Sequence, residues 1–233
     1  SLGTGRTALT IDGDNDGDGV SEHFDSYPGD SIRSIKCDAG QFGRYQCVDA
    51  PLGKFVPSSG SMYATDASPG YFVSSAGQLS ATACSPGYYQ ASSGQTSCDA
   101  ADAGYYVSGT AQTSQTACAA GTYQSSTGQS SCDDADTGHY VPSSGQSSQA
   151  ACAAGTYNPS TGSSSSSACA DADAGYYVPS SGQASQTACA AGTFSSATGS
   201  TSCTDALPGY YVPVQGQSSA TECLIGYYQS TSG

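Results

Sequence analysis

The stretch CSPGYYQASSGQTSC at residues 84–98 decides the fold, because its pattern recurs along most of the chain. We call its first residue the marker. Markers stand at positions 50, 67, 84, 101, 118, 135, 152, 172, 189, 206 and 223, and every step is 17 residues except the step of 20 from 152 to 172. From 67 onward the marker alternates between Ala and Cys. A period this strict predicts a tandem array of small repeats that pack on their neighbours.

Each repeat also carries glycines and an aromatic residue at fixed offsets. In the repeat that starts at Cys84 they are Gly87, Tyr89 and Gly94. We expect the first glycine to adopt positive φ or to allow close backbone approach, the aromatic to be the main core residue, and the variable residue between them to face solvent. Short extended runs joined by Gly and Ser turns predict a mainly β fold with little regular secondary structure. The three extra residues of the long step fall in the Ser163–Ser167 run.

The cysteines come in pairs that bracket alternate repeats. Where one member of a pair is absent the other is absent too, as at Ala101 and Gln115. A single loss would leave a reactive thiol, so this concerted absence predicts bonds within repeats. A further pair is expected to close a shortened first repeat. The predicted pairs are Cys37–Cys47, Cys84–Cys98, Cys118–Cys132, Cys152–Cys169 and Cys189–Cys203.

Cys223 remains without a predicted partner. It opens a repeat of the bridged kind, and its partner falls due four residues past Gly233. We therefore expect either that the parent chain continues with a cysteine or that Cys223 bonds another subunit. The second alternative would give a head-to-tail polymer.

The repeats without a cysteine pair differ from the bridged repeats at one further position. Three residues after the first glycine they carry Val56, Val73, Val107, Val141, Val178 or Val212, whereas bridged repeats carry Gln90, Gln124, Asn158, Ser195 or Gln229. A disulfide that closes about 15 residues stabilises by roughly 3 kcal/mol, and burial of one Val by roughly 1.5–3 kcal/mol. We interpret each Val as a substitute for a missing bridge, which gives a composite period of 34 residues. The polar residues at this position are expected to contribute little.

The Cys-x-x-Gly-x-aromatic pattern, with a second Cys 14 residues after the first, resembles the cysteine-rich repeats of ephrin receptors. It is also similar to the first submodule of tumour necrosis factor receptor repeats. The resemblance covers residues 37–233 and implies an elongated, disulfide-stapled rod. Half of the repeats here lack their bridge, so the ligand-binding roles of those families are not carried over.

An acidic loop precedes the repeats. Counted from Asp14, oxygen donors fall at calcium-loop positions, with Gly19 where the chain must turn sharply. The wider stretch resembles a thrombospondin type 3 repeat, a calcium-binding family, and this resemblance adds Asp12 and Asp30. The candidate calcium ligands are Asp12, Asp14, Asp16, Asp18, Val20 through its carbonyl, Glu22, Asp25 and Asp30. We therefore expect an extended segment at 1–11, a calcium-binding segment at 12–36 and tandem cysteine-rich repeats at 37–233.

Composition narrows the classes of protein and partner. Leu, Ile, Val and Phe number only 24 of 233 residues and the net charge is −14, so disulfides must supply stability that a large core would otherwise give. This places the chain outside the cytosol, as a segment of a longer secreted product. All five basic residues precede position 55, which excludes nucleic acid as a partner. No apolar run approaches the length of a membrane span, so no membrane insertion is expected.

The sequence favours a non-enzymatic role. It offers no nucleophile–base set: His23 lies in the acidic loop, and His139 takes the variable slot of its repeat. The later aspartates lack calcium-loop spacing and are expected to be solvated turn residues. The repeats look nearly identical, with no outlying patch. We therefore expect a structural segment of an extracellular filament, stalk or surface layer that self-associates head-to-tail and carries O-linked glycans on Ser- and Thr-rich turns. The alternative is a receptor-like or adhesive ectodomain that binds a protein or a glycan.

Overall fold

The computed structural model describes residues 36–44 and 46–224. By contacts between Cα atoms the chain divides into two compact units, one of residues 1–99 with 109–114 and one of residues 100–108 with 115–233. The predicted boundaries at 11 and 36 lie at or outside the edge of the described residues.

The described residues form 22 strands of two residues each, and each strand pairs with the next along the chain to make a hairpin. One short 3₁₀ turn, Ser166–Ala168, overlaps the serine run that holds the three extra residues. The mainly β fold of disulfide-stapled repeats is therefore confirmed. The hairpins are β1 (Gln41–Phe42) with β2 (Val48–Asp49), β3 (Lys54–Phe55) with β4 (Thr65–Asp66), β5 (Tyr71–Phe72) with β6 (Thr82–Ala83), β7 (Tyr88–Tyr89) with β8 (Asp99–Ala100), β9 (Tyr105–Tyr106) with β10 (Thr116–Ala117), β11 (Thr122–Tyr123) with β12 (Asp133–Asp134), β13 (His139–Tyr140) with β14 (Ala150–Ala151), β15 (Thr156–Tyr157) with β16 (Ala170–Asp171), β17 (Tyr176–Tyr177) with β18 (Thr187–Ala188), β19 (Thr193–Phe194) with β20 (Thr204–Asp205), and β21 (Tyr210–Tyr211) with β22 (Thr221–Glu222).

Backbone hydrogen bonds tie each hairpin of the first compact unit to the next. The Gly53 N–H donates to the Val73 carbonyl at 2.9 Å, and the Val56 N–H donates to the Gln78 carbonyl at 2.9 Å. Two-residue strands cannot form a stable sheet alone. Their stability therefore depends on this ladder between successive repeats.

The second compact unit repeats the same ladder. The Gly121 N–H donates to the Val141 carbonyl at 2.8 Å, and the Val141 N–H donates to the Ser163 carbonyl at 2.9 Å. A further bond joins the second glycine of each repeat to the marker carbonyl of the repeat before it, as from Gly162 to Ala135 at 2.8 Å. The 17-residue period of the sequence is thus the period of a backbone hydrogen-bond network.

The marker must be small because repeats two apart press on it through their glycines. Gly138 has φ +78°, and a Cβ added there would lie 2.2 Å from the carbonyl oxygen of Gly182, in the hairpin two repeats further on. The predicted positive φ and close approach at the first glycine are both observed. The alternation of Cys and Ala markers, with its 34-residue period, therefore runs along stacks of hairpins two repeats apart.

The core is a narrow line of small residues rather than a row of aromatics. The markers from Ala50 to Ala206 are at most 1% exposed, and the six valines are at most 5% exposed. The aromatic that we expected to be the main core residue is only half-buried in each described repeat, and Tyr211 is 41% exposed. That expectation is wrong because the close backbone approach leaves room only for Ala, Cys and one side chain of about the size of Val.

Candidate functional site

The predicted calcium ligands, from Asp12 to Asp30, lie outside the described residues. Within residues 36–44 and 46–224, no group of three or more His, Cys, Asp or Glu side chains is placed to hold a metal ion. The later aspartates, such as Asp99, Asp133 and Asp171, are exposed on their hairpins, as expected for solvated residues.

Five disulfides close hairpins, and their pairs are those that the concerted absence of cysteines predicts. The marker cysteine of each bridged repeat is buried, whereas its partner is half-buried. Cys223 is half-buried and has no disulfide partner. The bonds are Cys37–Cys47, Cys84–Cys98, Cys118–Cys132, Cys152–Cys169 and Cys189–Cys203.

Three of the unbridged repeats close the same loop with a side-chain clip, which sequence reasoning missed. In the repeat at marker 101, the Gln115 side chain accepts a hydrogen bond from the Asp102 N–H and donates one to the Asp102 carboxylate, both at 2.6 Å. Gln149 clips Asp136, and Gln186 clips Asp173, in the same way. Each Gln stands where a bridged repeat has its second cysteine. The signal in the sequence was Asp after the marker together with Gln 14 residues after the marker.

The polar residues that replace Val in bridged repeats are buried and bonded, so the expectation that they contribute little is wrong. Gln124 is 6% exposed. Its amide nitrogen donates to the Ser131 carbonyl at 3.0 Å, and its amide oxygen accepts from the Ser126 N–H at 3.0 Å. Gln90 and Asn158 likewise satisfy backbone or side-chain groups inside their own hairpins. The Gln side chain thus spans the loop that the disulfide closes.

The variable residue packs against its own hairpin more closely than expected. Where it is Thr or Lys, its cross-strand partner is Asp, and Lys54 and Asp66 form an exposed ion pair at 2.8 Å. Where it is aromatic, the partner is usually Ala, and the ring reaches the second glycine of the hairpin two repeats on, as Tyr105 does at Gly145. The aromatic–Ala pairs include Tyr71–Ala83, Tyr105–Ala117, His139–Ala151 and Tyr176–Ala188.

Two shallow apolar grooves occupy equivalent places in the repeat pattern. One, of about 280 Å³, is lined by Phe72, Ser85, Tyr88, Ser97 and Cys98. The other, of about 320 Å³, is lined by Phe194, Leu207, Tyr210, Ser219 and Ala220. At the equivalent place in the repeat at marker 135, Gln149 and Asp136 form their clip.

The carboxylate of that clip also acts on a neighbouring tyrosine. The pKa of the Tyr123 phenol is raised, first because partial burial disfavours the phenolate and then because Asp136 and Asp133 are negatively charged nearby. This places the Asp136 carboxylate beside the aromatic residue of the preceding repeat, as Leu207 lies beside Phe194.

Exposed large hydrophobic side chains collect near the two sequence ends of the described region. In the first compact unit they include Leu52, Met62, Tyr63 and Leu79, and in the second they are Leu207, Tyr210, Tyr211, Val214 and Leu224. The expectation that no repeat carries an outlying patch is therefore wrong. The signal in the sequence was Leu207 and Val214 at positions where other repeats have Ala, Asp, Ser or Gly.

No model of a protein family matches the chain, and none of the curated proteins matches it. In the part of the chain that the structure describes, no helix has the length and apolar character needed to cross a membrane. Five disulfides indicate a protein that matures in an oxidising compartment.

Proposed function

We propose that this chain is a structural repeat segment of an extracellular or cell-surface protein, part of a filament, stalk or surface layer, with no catalytic role of its own. One observation carries the proposal: repeat after repeat, the same backbone bonds recur while a disulfide, a clip or a buried Val maintains each hairpin. Such an array spends its residues on maintaining itself. Its regular surface suits a scaffold better than a reaction site.

Calcium is part of this proposal. Asp14, Asp16 and Asp18 supply hard oxygen donors at the spacing of a calcium loop, with Glu22 and Asp25 completing the set. So many carboxylates within a dozen residues repel one another unless a cation neutralises them. We propose that calcium organises residues 12–30 ahead of the repeats, as the resemblance to thrombospondin type 3 repeats implies.

Immuno-electron microscopy of cells that make the protein tests this function. Antibodies raised against residues 37–224 should label material outside the plasma membrane, on filaments, stalks or a surface layer. An antibody against a secreted enzyme of the same cells serves as a control for diffuse label. Label confined to the cytosol, or spread evenly with the control, would contradict the proposal.

A second candidate, an adhesive or receptor-like segment, is favoured by the exposed Leu207, Tyr210, Tyr211 and Val214. Large exposed apolar patches commonly mark interaction sites. Binding to a glycan array or to an extracellular matrix extract that is abolished by Tyr210→Ala, with the disulfides intact, would support this candidate.

A further inference from the structure

Repeat 206 differs from the other described repeats of its compact unit in what it shows to solvent. Leu207 is 66% exposed and Val214 is 55% exposed. The residue equivalent to Leu207 is Asp in the clipped repeats and Ala190 in the repeat before it, and the residue equivalent to Val214 is Ser in repeats such as that of Ser180. We call Leu207, Tyr210, Tyr211 and Val214 the C-terminal apolar surface. Exposed apolar side chains at positions that are otherwise polar or small indicate a surface that another protein covers.

The backbone beside this surface also lacks its usual neighbour. Elsewhere in this compact unit, first glycines such as Gly138 and Gly175 press against the carbonyl group of a hairpin two repeats on. Gly209 adopts the same positive φ, +89°, and no atom lies where its Cβ would make contact. The surface around Gly209 therefore has the shape that receives a hairpin of this same repeat type.

Charge decides which hairpin fits. The second compact unit contains eight acidic residues and no basic residue, so two C-terminal apolar surfaces would repel each other. The basic residues of the described region all lie in the first compact unit, among them the exposed Lys36. The same unit exposes Met62 by 56% and Tyr63 by 82%, in one hairpin loop. We call Met62 and Tyr63 the N-terminal apolar loop.

We propose that the C-terminal apolar surface of one copy of this chain binds the N-terminal apolar loop of a second copy. Tyr63 is the anchor, because its ring is the most exposed large hydrophobic side chain described and the groove between Phe194, Leu207 and Tyr210 is apolar with a hydroxyl, that of Ser219, at its edge. Glu222, exposed on β22, and the basic residues of the first compact unit give the contact its electrostatic orientation.

This contact is heterologous, since it joins two different surfaces, and so it can propagate from copy to copy. It deepens the proposed structural function and rests on it, because it names how one segment would join the next. It needs no bond at Cys223.

Sedimentation velocity of the full chain over a range of concentrations tests the proposal. The wild type should form dimers and larger species in a concentration-dependent way, more weakly at high salt. Leu207→Asp with Ala220→Gln should abolish this, and it should still fold because it installs the Asp and Gln of the three clipped repeats. Tyr63→Asp should abolish it as well. Ala190→Asp and Ser80→Asp add the same charge at equivalent positions of neighbouring repeats and should leave self-association unchanged.

Mixing the two association-deficient variants gives the decisive result. Each retains one intact surface, so an equimolar mixture of Tyr63→Asp and Leu207→Asp/Ala220→Gln should form a one-to-one dimer that grows no further. That rescue also shows that both variants are folded. A monomeric wild type, or a mixture that stays monomeric while the wild type associates, would overturn the proposal. Neither outcome affects the localisation test, so this inference can fail while the structural function stands.

Discussion

Gln115 and Asp102 form a two-point hydrogen-bonded clip that closes the same loop as the disulfide between Cys84 and Cys98 one repeat earlier. One array thus uses covalent and non-covalent closures of a single backbone design. Valine burial accompanies the clip, and a buried amide such as Gln124 accompanies the disulfide.

Removing a clip should cost less than removing a disulfide. Gln149→Ala loses two hydrogen bonds, one to a charged carboxylate, but at an exposed site, so we expect a loss of about 1 kcal/mol in the free energy of unfolding. Replacing Cys118 and Cys132 together by Ala should cost roughly 3 kcal/mol. Chemical denaturation of both variants, with Gln146→Ala as an exposed-amide control, measures the difference. Equal losses would show that the clip and the bridge do not play unequal versions of one role.

The converse substitution should stabilise the chain. Ala135→Cys with Gln149→Cys places a cysteine pair at the positions that Cys118 and Cys132 hold in the preceding repeat. The pair should oxidise spontaneously and raise the free energy of unfolding by about 2–3 kcal/mol. Mass spectrometry counts the new bond, and a pair that stays reduced under air would contradict the equivalence of the two positions.

Val141→Ala and Gln124→Ala should both destabilise, for different reasons. The valine change loses buried apolar surface, at a cost of about 2 kcal/mol. The glutamine change leaves the Ser126 N–H and the Ser131 carbonyl without their partner inside the hairpin, at a cost of about 1–3 kcal/mol. Hydrogen exchange of the amides in each loop checks where protection is lost. An unchanged Gln124→Ala variant would show that the buried amide does not hold the loop.

Substituting first glycines separates backbone strain from packing. Gly138→Ala meets both a positive φ and the Gly182 carbonyl, whereas Gly209→Ala meets only the positive φ. Ala111 adopts φ +55° in the native chain, so the conformational cost alone is tolerable. We therefore expect Gly138→Ala to disrupt the ladder and Gly209→Ala to cost about 1 kcal/mol. Thermal unfolding of the pair measures this, and similar losses would show that the close approach does not limit the fold.

Calcium removal should act on the acidic segment alone. Chelation, or Asp16→Ala, should increase proteolysis within residues 12–30 while the disulfide-closed repeats keep their protection. Calorimetric titration measures the binding, with Asp171→Ala as a control in the repeats. No heat of binding, or equal loss of protection in the repeats, would contradict the proposed loop.

The sequence was sufficient for features that repeat every 17 residues with one residue type, and insufficient for contacts between repeats. Marker spacing predicts the pairs of Cys84 and Cys118, and the Val pattern predicts burial at Val141. The aromatic positions misled because regularity does not reveal which side chain the backbone leaves room for. That room is set by the approach of Gly138 to Gly182, two repeats away. The buried amide of Gln124 was missed because its partners are backbone groups, which carry no sequence signal.

The central claim, that hairpins are closed one by one within their own repeats, has a direct test in peptide mapping without reduction. Every described repeat carries an aromatic residue between successive cysteine positions, so acid digestion with pepsin, which cleaves beside aromatic residues, should yield fragments with one cysteine each while thiol exchange is blocked. The account predicts that the Cys84 fragment is bonded to the Cys98 fragment, Cys118 to Cys132, Cys152 to Cys169 and Cys189 to Cys203. A bond between neighbouring hairpins, such as Cys98 to Cys118, would contradict it.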